Sequence, residues 1–323
     1  MNSFGHHFRI SIYGESHGKS IGVIIDGCPP GINLKEEDFF EDLSRRKAGA
    51  KGTTTRIEDD VPHITSGIFQ GKTTGAPIHI YFLNKNVQSS DYKDIAQTPR
   101  PGHADFTAHS KFQGFNDPRG GGHFSGRLTL AIVAAGVIAK KMIPDVKINA
   151  NLTHVAGSTD INAQIDKALQ NGDSVGGIIQ CTADHVPVGL GEPFFNSIES
   201  QISHLIFSIP AIKGIEFGKG FASADLKGSE MNDKYLEAGI TSTNHAGGIN
   251  GGISNGNQIL FRVAVKPTSS ISKPQQSFNL KTGEPQTLEI KGRHDACIAL
   301  RMPVIIEACC AIVLADFHVS KRI

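Results

Sequence analysis

Apolar and polar residues alternate over short runs at 8–13, 20–26, 64–69, 77–83, 146–155, 175–182, 214–218, 258–265 and 287–290, the period of a strand with one buried face. Between several of these runs the period lengthens to that of a helix, at 35–47, 127–143, 160–170, 197–207 and 303–318. Pro144 stops the second of these helices, and Pro303 opens the last at a first-turn position that needs no N–H. The elements are mixed in order, and no stretch rich in Pro, Ser or charge divides the chain. This predicts an α/β layered sandwich forming one domain over 1–323. Segments 84–123, 222–256 and 266–285 fit neither period. Long irregular segments in a compact domain usually carry function, and these hold most of the reactive side chains.

Composition narrows the classes. With 39% hydrophobic and 20% charged residues the chain has ample material for a core. Lys and Arg total 32 against 31 Asp and Glu, a net charge of +1, so no global attraction to nucleic acid or anionic membrane is expected and any anion site must be local. An RNA-binding reading also lacks an RNP1-like aromatic pattern. Five cysteines without a C-x-x-C pair point to reduced thiols and a cytoplasmic setting. Residues 1–14 show no basic-then-apolar export signal. The apolar stretch 303–316, interrupted by Glu307, is expected to be a buried helix too short to cross a bilayer.

Six stretches could carry chemistry. Gly14-Glu15-Ser16-His17-Gly18 is a turn between two strands that leaves a histidine unencumbered. Arg45, Arg46 and Lys47 end the first helix and are followed by Lys51, a run of threonines and Arg56. Helix-end cations have a bland explanation in the dipole, yet guanidinium forks beside hydroxyls suit phosphate or carboxylate. Arg100-Pro101-Gly102-His103-Ala104-Asp105 sets an arginine and a histidine on a fixed turn. Arg119-Gly120-Gly121-Gly122-His123-Phe124-Ser125-Gly126-Arg127 leads into an apolar helix, and glycines before a helix start predict exposed N–H groups that attract an anion. Asn244-His245-Ala246-Gly247-Gly248-Ile249-Asn250-Gly251-Gly252 precedes a strand and then Lys266-Pro267-Thr268-Ser269-Ser270, a lysine and three hydroxyls suited to a phosphate terminus. Gly292-Arg293-His294-Asp295 stands before the last helix, where a surface ion cluster is the plain alternative. Neither a Walker loop nor a dinucleotide-binding G-x-G-x-x-G occurs, and no serine-hydrolase elbow or paired-histidine metal motif is present, so no metal is expected.

Taken together, and in this order across nearly the whole chain, these stretches resemble the chorismate synthase family. Residues 4–18 are similar to its F-G-x-x-F-R and G-E-S-H-G elements. Ser90, Asp91 and Tyr92 with 100–105 resemble S-x-D-Y and R-P-G-H-A-D, 244–253 resemble N-H-A-G-G-I-x-G-G-I, and 266–270 and 292–295 resemble K-P-T-S-S and G-R-H-D. His123-Phe124-Ser125-Gly126-Arg127 departs from the R-S-S-A-R of many members, Ala48 stands where Pro is usual, and the loop around Lys51 is a residue short.

The resemblance implies a single-domain β-α-β-α sandwich with internal pseudo-symmetry, assembled as a homotetramer. It implies a lyase dependent on reduced FMN that removes phosphate and a proton from 5-enolpyruvylshikimate 3-phosphate by anti-1,4-elimination, giving chorismate at the end of the shikimate pathway. An external flavin reductase or NADPH-derived reductant would supply the reduced flavin. By the same resemblance His17 donates a proton near the leaving phosphate, His103 controls protonation of the flavin, and Asp295 works with the flavin in removing the substrate proton. Arg46, Lys51, Arg100 and Arg127 would hold the substrate. His123, Phe124, Ser125, Pro210, Ala211, Gly251, Lys266, Pro267, Thr268, Ser269, Ser270 and Arg293 would cradle FMN. A flavin- or phosphate-binding protein that keeps the fold without activity is the competing reading.

Overall fold

The computed structural model describes residues 2–54, 58–85, 97–290 and 294–320. Strands β1 (Ser3–Phe4), β2 (Arg9–Gly14), β3 (Ser20–Asp26), β4 (His63–Ser66) and β5 (Ile78–Leu83) form one antiparallel sheet in the order β1-β2-β3-β5-β4. A second antiparallel sheet contains β6 (Lys147–Val155), β7 (Gly177–Asp184), β8 (Ile212–Phe217) and β9 (Ile259–Val265), in the order β8-β9-β7-β6. β7 and β9 pair in continuous register from Gly177 opposite Val265 to Ala183 opposite Ile259, and each buries every second residue. That alternation is the one legible in the sequence.

The helices longer than one turn are α1 (Phe40–Arg46), α2 (Asp105–Lys111), α3 (Thr129–Met142), α4 (Ile161–Gln170), α5 (Ile198–Phe207) and α6 (Pro303–Ser320) among the described residues. α3 lies on β3 of the first sheet, α6 lies on β6 and β7 of the second, and the two helices pack on each other. One continuous hydrophobic core therefore runs from sheet to sheet through the helices. The expected α/β sandwich is the observed class. α3 and α6 are apolar on almost every face, as helices enclosed on all sides must be.

Several elements differ from their expected form. The run 64–69 breaks at Gly67, whose left-handed φ of 81° turns the chain so that Ile68 and Phe69 pair with Thr73 and Lys72 instead. The helix expected at 35–47 begins as a tight 3-10 turn, Glu36–Phe39, before α1 proper. The irregular segment 84–123 contains α2, at seven residues too short to show a period. α6 extends to Ser320, so its 18 residues are long enough to span a bilayer by length and composition, contrary to expectation. Nevertheless 78% of it is buried inside the protein.

α3 and α6 meet at Gly136. A Cβ placed there would lie 2.3 Å from Cβ and 2.7 Å from Cα of Ala308, so the contact is closed to any side chain. Beside it the buried Glu307 carboxylate accepts from Arg45 Nη1 and Nη2 at 2.8 and 2.6 Å, from Lys140 Nζ at 3.1 Å and from the Ala150 N–H at 3.0 Å. One side chain thus ties α1, α3, α6 and β6 together. Burial alone would raise this carboxyl, but Arg45 and Lys140 reverse the effect and hold it below its ordinary range. All five cysteines are buried free thiols.

Gly136→Ala tests this contact, because helix propensity alone favours alanine by about 1 kcal/mol. Overpacking against Ala308 is expected to dominate and lower stability by about 1–3 kcal/mol, read from the urea midpoint. A variant as stable as the parent would refute the tight contact.

Candidate active site

A cleft of about 780 Å³ opens where the two long helices begin. Leu128, Thr129 and Ile132 of the α3 end and Met302 and Ile305 of the α6 end line it, so both helices point their positive N-termini at the same space. Further walls come from the N-terminal arm, the loop after α1, the turn before α2, the glycine run before α3, the α5–β8 connection and the segment after β9. Its floor is partly apolar, with Phe4, Ile10, Leu205, Ile209 and Ile298.

Arg46 is 3% exposed. Its Nε donates to Thr129 Oγ1 at 2.9 Å and its Nη2 to the Gly126 carbonyl at 2.8 Å, while Nη1 lies 3.8 Å from the Asp60 carboxylate. Asp60 also pairs closely with Arg127 Nη1, and Arg127 Nε donates to Asn84 Oδ1 at 3.1 Å. Arg127 Nη2 is buried with no hydrogen-bond partner. Arg301 Nε donates to the Arg46 carbonyl at 3.0 Å, and its Nη1 lies 3.5 Å from Asp295. Burial, then the guanidiniums of Arg301 and Arg127, outweigh Asp60 and Asp295 and pull Arg46 down to about 9. An arginine stays protonated in proteins, so this direction marks first a cation held out of water, with two further guanidiniums beside it.

Arg100 faces a different partner. Its Nε and Nη2 donate to the two oxygens of Asp105 at 2.7 and 2.8 Å, and its Nη1 to Ser270 Oγ at 3.1 Å. His103 Nδ1 lies 2.6 Å from Asp105 Oδ1. With a proton on Nδ1 for Asp105, the other ring nitrogen is an acceptor, and Arg100 Nη2 stands 3.2 Å from it. Burial alone would raise Asp105, but the hydrogen bonds from Arg100 and His103 hold it well below the usual carboxylate range. Arg100 was expected to grip an anion; its guanidinium is instead engaged in orienting Asp105 and His103.

The glycine run has another purpose than the one its sequence suggests. α3 starts only at Thr129, after a short turn capped by Ser125 Oγ, so the glycines do not bare the helix N–H groups. They adopt left-handed φ of 59°, 81° and 53° and thread between two histidines. A Cβ on Gly120 would fall 2.6 Å from the His17 ring, and one on Gly121 3.3 Å from the His103 ring. His17 itself is buried behind Gly120, while Ser16 reaches the wall.

The structure brings Arg46, Arg100, His103, Arg127, Asp295, His123, Phe124, Ser125, Pro210, Ala211, Lys266, Pro267, Thr268, Ser269 and Ser270 to this cleft. Lys266 Nζ donates to Ser269 Oγ at 2.7 Å and the Gly102 carbonyl at 3.0 Å. Burial, then Lys213, lower its pKa. Thr268 Oγ1 is buried without a partner. The His123 ring turns away, to the Gly14 carbonyl at 2.8 Å and Asn2 Oδ1 at 3.0 Å, and so secures the N-terminal arm. Two of the expected residues lie outside this cleft. Lys51 is 66% exposed and paired with Asp166 at 2.5 Å, outside the cleft, because the loop after α1 turns it toward α4. Gly251 lies in an exposed turn between two short strands and does not line the cleft either. Arg56, Ser90, Asp91, Tyr92 and Arg293 lie outside the described residues.

A family profile described as Chorismate synthase matches residues 8–319. The chain belongs to the chorismate synthase family. The chorismate synthase of Chitinophaga pinensis is 60% identical over 324 residues, covering 100% of this chain and 98% of the relative. That of Thermococcus kodakarensis is 42% identical, covering 97% and 96%. A solved structure titled "Crystal Structure of Chorismate Synthase" superposes with a TM-score of 0.77 at 27% identity, over 98% of this chain and 93% of that one. Within this family fold, Asp60, Lys213, His294 and Arg301 also line the cleft and Asn84 stands behind Arg127, residues that sequence reasoning did not assign. Only His294, inside the G-R-H-D run, carried a signal; its Nε2 is buried without a partner, and burial, then Arg100, lower its pKa.

The Asp105 shift has a definite sign. A depressed carboxylate stabilises the fold above its unfolded pKa of about 3.9 and loses that contribution as pH falls toward its native value. Asp105→Asn is therefore expected to cost about 2–3 kcal/mol near neutrality and progressively less below pH 4, in denaturant melts across pH. Equal losses at pH 3 and pH 6 would contradict the assignment.

Proposed function

We propose that the chain is a chorismate synthase that uses reduced FMN to eliminate phosphate from 5-enolpyruvylshikimate 3-phosphate. The observation carrying this reading is the set of buried, unpartnered polar atoms around the cleft: Arg127 Nη2, Thr268 Oγ1 and His294 Nε2. Leaving such groups unpaired costs about 1–3 kcal/mol each, which a polyanionic ligand would offset. Even with Arg100 set against Asp105, Arg46, Lys47, Arg127, Lys213, Lys266 and Arg301 outnumber Glu58, Asp60 and Asp295 among the lining residues. That excess suits a phosphate and carboxylates better than a neutral substrate.

The same residues fit a flavin phosphate: Lys266 with Thr268 and Ser269 forms a donor-rich loop, and Pro210, Ala211 and Phe124 add apolar wall. A cleft of about 780 Å³ is within the usual range for a cofactor site. Reduced FMN, when bound, supplies an electron-rich ring able to lend charge while the allylic C–O bond breaks. Arg127, fixed by Asp60 and Asn84, holds the leaving phosphate through Nη2, with Arg46 adding positive field. His17, behind Gly120, donates a proton toward that phosphate. Asp295 accepts the substrate proton; the Thr54 N–H at 2.9 Å and Arg301 Nη1 at 3.5 Å orient it. His103 holds a proton on Nδ1 against Asp105. By the family resemblance alone, Arg293 is assigned to the flavin as well. The reductant comes from an external flavin reductase or NADPH-derived source, since the sequence has no second nucleotide motif. Assembly as a homotetramer would let the exposed Gly251 turn serve a neighbouring copy.

Anaerobic incubation with dithionite-reduced FMN is expected to give chorismate and phosphate with no net flavin oxidation. Stoichiometric oxidation, or equal activity with oxidised FMN, would overturn the mechanism. Lys266→Ala is expected to weaken FMN binding, followed by flavin fluorescence, more than it slows turnover at saturating flavin. His17→Ala and Asp295→Ala are each expected to lower kcat by about 10²–10⁴-fold while substrate binding stays measurable by calorimetry.

A further inference from the structure

Asn84 follows the last residue of β5, and β5 pairs with β3 so that Leu83 stands opposite Ser20. This register sets Asn84 beside the turn that joins β2 to β3, and its own N–H donates to the Lys19 carbonyl at 3.2 Å. The side chain then reaches in two directions. Nδ2 donates to the Glu15 carbonyl at 3.1 Å and the Gly18 carbonyl at 2.9 Å, bracketing Ser16 and His17. Oδ1 accepts from Arg127 Nε at 3.1 Å. Carbonyls only accept and guanidinium only donates, so the amide has one possible orientation, with both donors and its oxygen in use.

We propose that Asn84 is a positioning residue that fixes the His17 turn and the Arg127 guanidinium relative to each other. The proposal rests on the roles given above to His17 and Arg127. A planar guanidinium anchored at Nη1 by Asp60 and at Nε by Asn84 has no freedom left, so the direction of the unpartnered Nη2 is set. On the other side the turn is closed by Gly18 N–H to the Glu15 carbonyl at 3.0 Å and held to the glycine run by Ser16 N–H to the Gly122 carbonyl at 3.0 Å. Asn84 links this turn directly to Arg127 through one side chain. Proton donor and phosphate grip must address one leaving group, and a side chain that touches both supports holds them in register.

An asparagine is required at this position because one end faces acceptors and the other a donor. Asn84→Asp keeps an acceptor for Arg127 and sets a carboxylate against two carbonyl oxygens, so it releases the His17 turn selectively. Steady-state kinetics of N84D, His17→Ala and the double variant read the coupling. N84D is expected to lower kcat roughly ten- to a hundredfold with little change in KM. In the His17→Ala background it should change kcat by no more than about twofold, because the positioned group is gone. Additive losses would overturn the proposal, as would a raised KM with kcat unchanged. A merely structural role would lower thermal stability without this non-additivity. Asn84→Ala serves the same cycle if N84D fails to fold, with the added expectation of a higher KM. Histidine-ring NMR needs no turnover and separates this proposal from the assigned reaction. The His17 signals should shift in N84D while those of His63 stay fixed, and unchanged His17 signals would refute the positioning role whatever reaction the protein performs.

Discussion

The contact of Gly136 with Ala308 is the constraint on which the rest of the architecture depends. Each of the two long helices covers one sheet, so the distance between them sets the distance between the sheets. Glycine and alanine at the crossing let the backbones approach where any larger pair would separate them. The same approach brings both N-termini to one end of the sandwich, and the cleft forms there. Two positive helix ends reinforce the arginines without adding any side-chain charge. Glu307 keeps the pair from sliding, since its carboxylate answers groups on α1, α3 and β6 at once. Removing it would leave Arg45 and Lys140 with Asp42 as their remaining carboxylate partner.

Charge in the cleft is distributed by role. Asp105 satisfies Arg100 and His103, and Asp60 partly satisfies Arg46 and Arg127. These carboxylates fix the direction of the basic groups and leave more cations than anions lining the cleft. Full neutralisation would remove the field that draws an anion, and none at all would splay the guanidiniums apart. The net charge of +1 over the chain conceals this local excess completely.

Glycine carries a comparable double duty. The run before α3 passes close to the rings of His17 and His103: a side chain at Gly120 would collide with His17, and one at Gly121 would crowd His103. Spacing between the two histidines is therefore set by bare backbone, and it does not depend on the conformers of intervening side chains.

Alternation at β7 and β9, the all-apolar α3 and α6 and Pro303 at a helix start were legible because they reflect periods of two and 3.6 that burial imposes locally. The motifs around His17, Arg100, His103, Arg127, Lys266 and Asp295 were legible because each packs its chemistry into a few consecutive residues. Asp60, Asn84 and Arg301 carry no such local signal, and their importance comes largely from groups far along the chain, such as Arg127 against Asn84 and Asp60 and the Arg46 carbonyl against Arg301. Lys51 shows the converse, a cation in a promising stretch that loop geometry sends to Asp166. Local sequence thus determined the elements and the identity of the reactive groups. Tertiary structure alone decided which of them share a cleft and which donors are left unpaired there, because both depend on distances between segments that are far apart along the chain.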